Sequence, residues 1–186
     1  MRELKRKVIH VVAGLFLAVL VYHDLFSLYF FVPLLVAGIV LAIVERYRRV
    51  PVVHELLCAY ERPGCVLPGK GALALLLGAI LAVVLFDKKT AFVAILVLSI
   101  ADPVSHIVGK YAGRKKHWLN DRKMIEGTLA GIVLASIAVA FFISPVKSFI
   151  VSCIAMFFEI FEHKFLDDNV VIPIVVGVSL KLLAFW

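Results

Sequence analysis

Residues 90–111 read TAFVAILVLSIADPVSHIVGKY, an apolar run of membrane-spanning length that carries a carboxylate, Asp102, in its second half. A transmembrane helix needs about 20 predominantly apolar residues. A charged side chain inside such a helix is costly and usually faces a cavity or a partner. The run therefore predicts both a membrane helix and a polar site within it.

The rest of the chain has the composition of a membrane protein. Of its 186 residues 63% are hydrophobic, with a mean hydropathy of +1.04, whereas soluble domains are about 45–50% apolar. We predict an all-α, polytopic membrane protein in which residues 1–186 form one transmembrane domain. Together with residues 90–111, the other apolar runs predict about seven transmembrane helices: 6–22, 25–44, 71–86, 90–111, 124–142, 146–163 and 169–185.

The basic residues lie mostly on one side of this predicted topology. Of the 20 Lys and Arg residues, 16 fall in the N-terminal segment or in the connectors after the second, fourth and sixth helices. Such residues are enriched in cytoplasmic loops, so we predict a cytoplasmic N-terminus and an outside C-terminus. The topology also explains the net charge of +7, and we predict no nucleic-acid partner.

A set of polar residues lies at the cytoplasmic ends of the predicted helices. Asp102 and His106 are four residues apart and so share one helix face. Pro103 disfavours helix at Asp102, and a broken membrane helix usually lines a buried or wet cavity. We predict a polar pocket that opens to the cytoplasm, formed by His10, Asp102, His106, Glu126, Glu159, Glu162, Asp167, Asp168 and Asn169.

The segment 102–131 contains features that suit a phosphate ligand. The pairs Gly109–Gly113 and Gly127–Gly131 have G-x-x-x-G spacing, which serves either close helix packing or close approach of a ligand to the backbone. Lys123 and Glu126 flank a predicted helix start, where N–H groups and nearby cations favour an anion. Mg²⁺ usually takes one or two carboxylates plus phosphate oxygens, so the segment predicts a polyphosphate bound with Mg²⁺.

Three stretches also match the motifs of a known family. Residues 3–14, ELKRKVIHVVAG, are similar to R-K-x-x-H-x-x-x-G. Residues 101–114, ADPVSHIVGKYAGR, and 123–127, KMIEG, are similar to G-D-x-x-A-x-x-x-G-x-x-x-G followed by K-[ST]-x-E-G. Glu159 and residues 167–173, DDNVVIP, resemble an acidic residue followed by D-D-N-L-x-I-P. Together they resemble the membrane-bound CTP-dependent lipid kinases, which include dolichol kinase, phytol kinase and the yeast-type diacylglycerol kinase.

The resemblance implies a membrane enzyme that phosphorylates the hydroxyl of an isoprenoid alcohol of the polyprenol or dolichol type. CTP is the implied phosphoryl donor and Mg²⁺ the cofactor. Geranylgeraniol and a glycerolipid are also open as acceptors, since each carries an alcohol on an apolar tail. The implied active site faces the cytoplasm, and no residue pattern assigns an oligomeric state.

The resemblance also implies roles for individual residues. Lys123 is catalytic and binds nucleotide, and Asp102 is catalytic and binds metal. Asp168, a further metal ligand, or His10 would accept the hydroxyl proton, and the choice between them stays open. Glu159 is a third implied metal ligand, while His106, Asp167 and Asn169 complete the site. The implied nucleotide-binding residues are Gly109, Gly113, Arg114, Lys123, Glu126 and Gly127.

The chain departs from the family pattern at three positions. Ala101 stands where the family has Gly, Pro103 is unusual after the aspartate, and Met124 replaces a Ser or Thr hydroxyl. Related CDP-lipid synthases also use CTP, but their K-D-F-G and H-G-G-x-x-D-R features are absent from this sequence. A synthase, a small membrane transporter and a non-catalytic membrane subunit remain the alternative hypotheses.

Overall fold

A computed structural model describes residues 2–48, 69–161 and 167–184. These ranges contain seven helices and one short β-hairpin. The helices are α1 (Arg2–Tyr22), α2 (Leu28–Tyr47), α3 (Lys70–Leu85), α4 (Lys88–Ala112), α5 (Ile125–Ala140), α6 (Pro145–Ile160) and α7 (Asp168–Ala184). The hairpin strands are β1 (Lys116–His117) and β2 (Asn120–Met124).

The predicted all-α class is confirmed, since each predicted run corresponds to one of these helices. Polar caps explain where two of them begin. The Asp87 carboxylate accepts a hydrogen bond from Thr90 N at 3.2 Å, and Ser144 Oγ accepts one from Lys147 N at 3.4 Å. Such caps satisfy N–H groups that the first turn of a helix leaves without partners.

Successive helices run in opposite directions, so the bundle has two distinct ends. The hairpin end contains the hairpin and the C-terminus of α6, which are joined by a 2.9 Å hydrogen bond from Asn120 Nδ2 to Ile160 O. At the opposite end, Lys88 pairs with Asp24 and Lys181 pairs with Asp87. The ends of helices that were predicted to be cytoplasmic all lie at the hairpin end.

Helix α4 is the centre of the bundle. It packs against α1, α3, α5, α6 and α7, and the run Ala91–Leu98 is buried throughout. Partner side chains such as Met156 and Ile172 are also fully buried. The apolar run that predicts a membrane helix is therefore the part of the chain that the other helices surround.

The predicted break at Pro103 is wrong. Helix α4 continues through Pro103 to Ala112. Proline removes one backbone donor, but Ala101, Asp102 and Pro103 are all buried among neighbouring helices. Packing from several sides keeps the segment helical in spite of the local preference.

The hairpin was not predicted, because its strands are too short and polar to produce an alternating apolar pattern. Lys116 pairs with Met124 and His117 with Asn120. Ile125 N donates to Lys115 O at 3.0 Å, so the hairpin closes directly onto the start of α5. Lys123 consequently lies in β2 and not in the first turn of the helix.

Two helices of the described ranges, Leu28–Tyr47 and Lys88–Ala112, are long and apolar enough to cross a membrane. Two shorter helices, Lys70–Leu85 and Ile125–Ala140, are also apolar. Helix α2 leaves most of its surface exposed, whereas α4 is mostly buried. Length and composition thus associate the chain with a membrane through two helices.

We expect Gly127→Ala to lower the free energy of unfolding by about 1–3 kcal/mol, the usual cost of overpacking. A methyl group there would overlap Ser105 O of α4 and lie 2.9 Å from Gly109 Cα. Both atoms belong to a backbone that has no flexible end to move aside. Thermal unfolding in detergent measures the effect.

Gly71→Ala is the matched control for this variant. A methyl group at Gly71 would meet nothing within 4 Å, so its stability should equal or exceed that of the wild type. A Gly127→Ala protein as stable as the Gly71→Ala protein would contradict the close α4–α5 packing.

Candidate functional site

The first element of the site is an ion pair between α1 and α4. Lys7 Nζ lies 2.7 Å from Asp102 Oδ2, and the two side chains are only 14% and 10% exposed. Gly14 brings the helices together, since a side chain at that position would overlap Ser99. Ser99 lies one turn before Asp102, so the glycine allows Lys7 to reach the carboxylate.

The second element joins the hairpin, α4 and α6 around a buried glutamate. Glu159 is 0% exposed and forms an ion pair with Lys123 of β2. Ser105 Oγ donates to Glu159 Oε1 at 3.1 Å and lies 3.0 Å from Asp102 O. A buried carboxylate needs such partners, and Ser105 links it directly to the helix that carries Asp102.

The Lys123 ammonium stays charged in this setting. Burial lowers the pKa of Lys123, but the neighbouring Glu159, Asp102 and Asp168 carboxylates outweigh that effect and hold its pKa above the ordinary value. A lysine among carboxylates is therefore available as a fixed cation.

Asp168 of α7 completes a carboxylate cluster, defined here as Asp102, Glu159 and Asp168. Its charge interacts with Lys123, Asp102 and Glu159. His10 of α1 interacts with Asp102 and Lys7. The residues predicted as catalytic, which come from four different segments of the chain, are thus brought together at the hairpin end.

Asp167 and Asn169 have local structural contacts. Asp167 O accepts from Val170 N at 2.9 Å and Val171 N at 3.1 Å, so Asp167 caps α7. Asn169 Nδ2 lies 3.5 Å from Gly71 O, and Lys70 Nζ lies 3.7 Å from the Asp167 carboxylate. These contacts fix the start of α7 against α3 and thereby place Asp168 in the cluster.

A cavity of about 220 Å³ lies between α4, the hairpin and α5. Its wall contains three cationic side chains together with His106, and two of its residues, Lys123 and Ser105, also contact Glu159. Pockets that enclose a whole small ligand measure about 300–1,000 Å³, so this cavity suits part of a ligand, and its cations suit phosphate groups. It is lined by Ser105, His106, Gly109, Lys110, Arg122, Lys123, Met124 and Thr128.

The glycines predicted to bind nucleotide are mainly packing residues. A methyl group at Gly109 would touch Met124 at 3.5 Å and Gly127 Cα at 3.7 Å, and one at Gly113 would overlap Gly109 O. Gly131 lies against Ala101 and Met156 in the same way. Close helix packing is thus the role of Gly127 and Gly131, whereas Gly113 packs against Met124 of the hairpin, and of these glycines only Gly109 also lines the cavity.

Two further predicted residues lie at the edge of the site. The Glu126 carboxylate accepts from Lys115 N at 3.2 Å and 3.3 Å, so it holds the loop before the hairpin. Arg114 lies in that loop with an exposed side chain. Neither residue belongs to the carboxylate cluster, and Glu162 of the predicted pocket lies outside the described residues.

One buried carboxylate oxygen of the site bears on the predicted Mg²⁺. Glu159 Oε2 is buried without a hydrogen-bond partner among the described residues, and carboxylate oxygens are the ligands that Mg²⁺ prefers. Across residues 2–48, 69–161 and 167–184, no group of three or more His, Cys, Asp or Glu side chains is arranged as a metal site. Asp102, Asp168 and Glu159 are therefore not a preformed cage, which is usual for Mg²⁺ bound with phosphate.

Lys7 and Ser105 belong to the site but were not predicted as site residues. Lys7 lies one turn before His10 and two turns before Gly14, so the three share the face of α1 that meets α4. Ser105 lies one turn after Asp102. The sequence signal for both was therefore helical spacing from a residue already identified.

A protein of known sequence is similar to this chain over nearly its whole length. No protein-family model and no solved structure matches the chain. Over 184 residues it is 32% identical to the uncharacterized protein MJ1137 of Methanocaldococcus jannaschii, covering 95% of this chain and 92% of the relative. The chain belongs to the MJ1137 family.

Proposed function

We propose that the protein is a CTP-dependent kinase that phosphorylates the hydroxyl of a membrane isoprenoid alcohol of the polyprenol or dolichol type. The observation that carries the proposal is the carboxylate cluster, in which Lys7 pairs with Asp102 and Lys123 pairs with Glu159, beside a cavity with three cationic side chains. Cations for phosphates and carboxylates for Mg²⁺ are the parts that phosphoryl transfer requires. The motif resemblance supplies the nucleotide and the acceptor.

We further propose that all seven helices lie in the membrane, with the N-terminus and the site on the cytoplasmic side. Large aromatic side chains are exposed near both ends of the bundle, for example Tyr29 and Phe141 at one end and Tyr47 and Trp118 at the other. Such residues concentrate at membrane interfaces. Helix α2 separates Tyr29 from Tyr47 by about 27 Å, close to the thickness of a hydrocarbon core, about 30 Å.

The exposed side chains between these aromatic levels support the same arrangement. They include Val12, Phe16, Leu34, Val133 and Ile137, which leave large apolar surfaces on α1, α2 and α5. An apolar surface of that extent on a protein in water would be an aggregation hazard. In a bilayer it is the favourable surface, because lipid chains cover it.

The charged side chains of the cavity and of the carboxylate cluster have separate roles in the proposed reaction. The cavity cations would bind the triphosphate, and Lys123 would contact both phosphate and the buried Glu159. Asp102, Asp168 and Glu159 would hold Mg²⁺, which when bound would neutralise charge on the phosphates. Lys7 pairs with Asp102 and Lys123 pairs with Glu159 through the two observed ion pairs.

The proposed phosphoryl transfer is a single displacement in which every bond and the proton are accounted for. The alcohol oxygen forms a bond to the γ-phosphorus, the bond from that phosphorus to the leaving oxygen of CDP breaks, and the hydroxyl proton passes to Asp168 or His10. Both candidates interact electrostatically with Asp102. His10 Nε2 is buried, with no hydrogen-bond partner in the part of the chain that the structure describes, so it is free to receive a hydroxyl.

The test is a transfer assay with the purified protein in liposomes. The protein receives Mg²⁺, a mixture of lipid alcohols and γ-labelled CTP, with γ-labelled ATP in parallel. We expect label in a lipid monophosphate with CTP and much less with ATP. α-Labelled CTP serves as the control, because label in a CDP-lipid with release of pyrophosphate would identify a synthase. No labelled lipid from any alcohol would contradict the kinase proposal.

A further inference from the structure

We infer that the segment Lys115–Met124, called here the interfacial hairpin, lies in the headgroup layer of the membrane and binds anionic lipids. Trp118 would insert among the lipids at headgroup depth, and Lys115 and Lys116 would contact acidic headgroups. The inference rests on the membrane arrangement proposed above and does not depend on the kinase reaction.

The hairpin presents a large aromatic side chain where a soluble domain would present a polar one. Trp118 occupies the turn between β1 and β2 and is 84% exposed. Tyr111, at the end of α4, is 64% exposed, and Leu119 is exposed as well. A tryptophan has an apolar ring and one N–H donor, so it is most stable at a boundary between lipid and water.

Hydrogen bonds hold the hairpin so that Trp118 faces outward. Asn120 Nδ2 donates to Ile160 O at 2.9 Å, and Asn120 Oδ1 accepts from Arg122 N at 3.0 Å. Leu119 N donates to His117 Nδ1 at 3.2 Å, which closes the turn. The exposure of Trp118 is therefore built into the fold, because Asn120 fixes the hairpin to α6 and the bonds at His117 and Arg122 fix its turn.

The charge around Trp118 selects anionic lipid as the partner. Arg114, Lys115 and Lys116 are consecutive and exposed, and the only acidic residue between positions 110 and 124 is Asp121. Acidic headgroups attract such basic segments at the cytoplasmic surface. A soluble acidic partner would complement the charge but not the exposed tryptophan.

The hairpin lies next to the apolar surface of the helices and extends it. Its turn is bonded to Ile160, whose neighbours Phe157 and Phe161 are exposed aromatic residues at the same end of the bundle. Trp118 thus extends an aromatic level that the helices already form. Strand β2 also supplies Arg122, Lys123 and Met124 to the cavity wall, so a hairpin at headgroup depth would place the cavity where a lipid hydroxyl lies.

Fluorescence of Trp118 tests the inference. Trp186→Phe leaves Trp118 as the sole tryptophan of the full chain, which is reconstituted into liposomes of neutral lipid or of neutral lipid mixed with phosphatidylglycerol. We expect emission at shorter wavelength than in water, quenching by brominated lipids and protection from aqueous acrylamide, each stronger with phosphatidylglycerol. Emission typical of water and equal acrylamide quenching in both liposomes would overturn the inference.

Three further variants make each outcome decisive. Lys115→Gln/Lys116→Gln should abolish the difference between neutral and anionic liposomes, whereas Lys88→Gln/Lys89→Gln at the opposite end should retain it. Phe16→Trp, in a chain with Trp118→Phe and Trp186→Phe, reports on a lipid-facing position of α1. Quenching by brominated lipids at position 16 but not at position 118 would reject the interfacial hairpin alone. Quenching by brominated lipids at neither position would reject the membrane arrangement itself.

Discussion

Lys123→Met should lower the free energy of unfolding by about 3–5 kcal/mol, the usual cost of removing one partner from a buried ion pair. Glu159 would remain fully buried, and it would keep the hydrogen bond from the Ser105 hydroxyl at 3.1 Å but lose its cationic partner. The loss should appear as a lower Tm and a lower midpoint of denaturation in detergent. Lys116→Met is the matched control, since Lys116 lies on the same hairpin with an exposed side chain.

A double variant separates the two consequences of losing Lys123. Lys123→Met/Glu159→Leu removes the pair and fills the space with apolar atoms, and replacing a buried ion pair in this way is often neutral or stabilising. We expect this protein to recover most of the lost stability and to have no phosphoryl-transfer activity. Recovery of activity together with stability would show that Lys123 and Glu159 serve only the fold.

The second large effect is expected for Asp102→Asn, which should reduce lipid phosphorylation by at least about a hundredfold, as removal of a group that stabilises a charged transition state does. Asparagine keeps the size of aspartate and can still accept a hydrogen bond from Lys7, but it loses the charge that would hold Mg²⁺. The measurement is the rate of label transfer from γ-labelled CTP to the lipid alcohol.

Controls distinguish a catalytic loss from a folding defect. Asp121→Asn removes a carboxylate from the exposed edge of the hairpin and should retain the wild-type rate. Lys7→Met/Asp102→Asn removes both charges of the α1–α4 pair, so its Tm should stay near that of the wild type while its activity stays low. A near-normal rate in Asp102→Asn would remove Asp102 from the proposed mechanism.

The helices of this fold could be predicted from the sequence because apolar runs alternate with polar connectors. The predicted run 146–163, for example, corresponds to α6 at Pro145–Ile160. The order of packing could not be predicted, because apolarity is nearly uniform around most helices and does not indicate which faces meet. The hairpin was missed for the opposite reason, since its short strands contain too few apolar residues to show a period.

The residues of the candidate site could be predicted from the sequence, but the pairs that they form could not. Asp102, Glu159 and Asp168 were identified because charges near the same end of neighbouring helices must avoid lipid together. The sequence does not show that Lys7 pairs with Asp102, because these residues are 95 positions apart. The pair of Lys123 and Glu159 is hidden for the same reason, since 36 positions separate them. Pro103 shows the reverse case, in which packing of α4 on several neighbours outweighs a local preference that the sequence states clearly.

The central position of α4 also limits how the protein can move. Alternating access in transporters requires one group of helices to rock against another around a central site. Here a single helix packs against five others, so any such rocking would have to separate α4 from some of its partners and uncover its buried run Ala91–Leu98. Movement of whole helices is therefore costly in this bundle, and in the proposed reaction ligands would arrive and leave by rearrangement of side chains at the hairpin end.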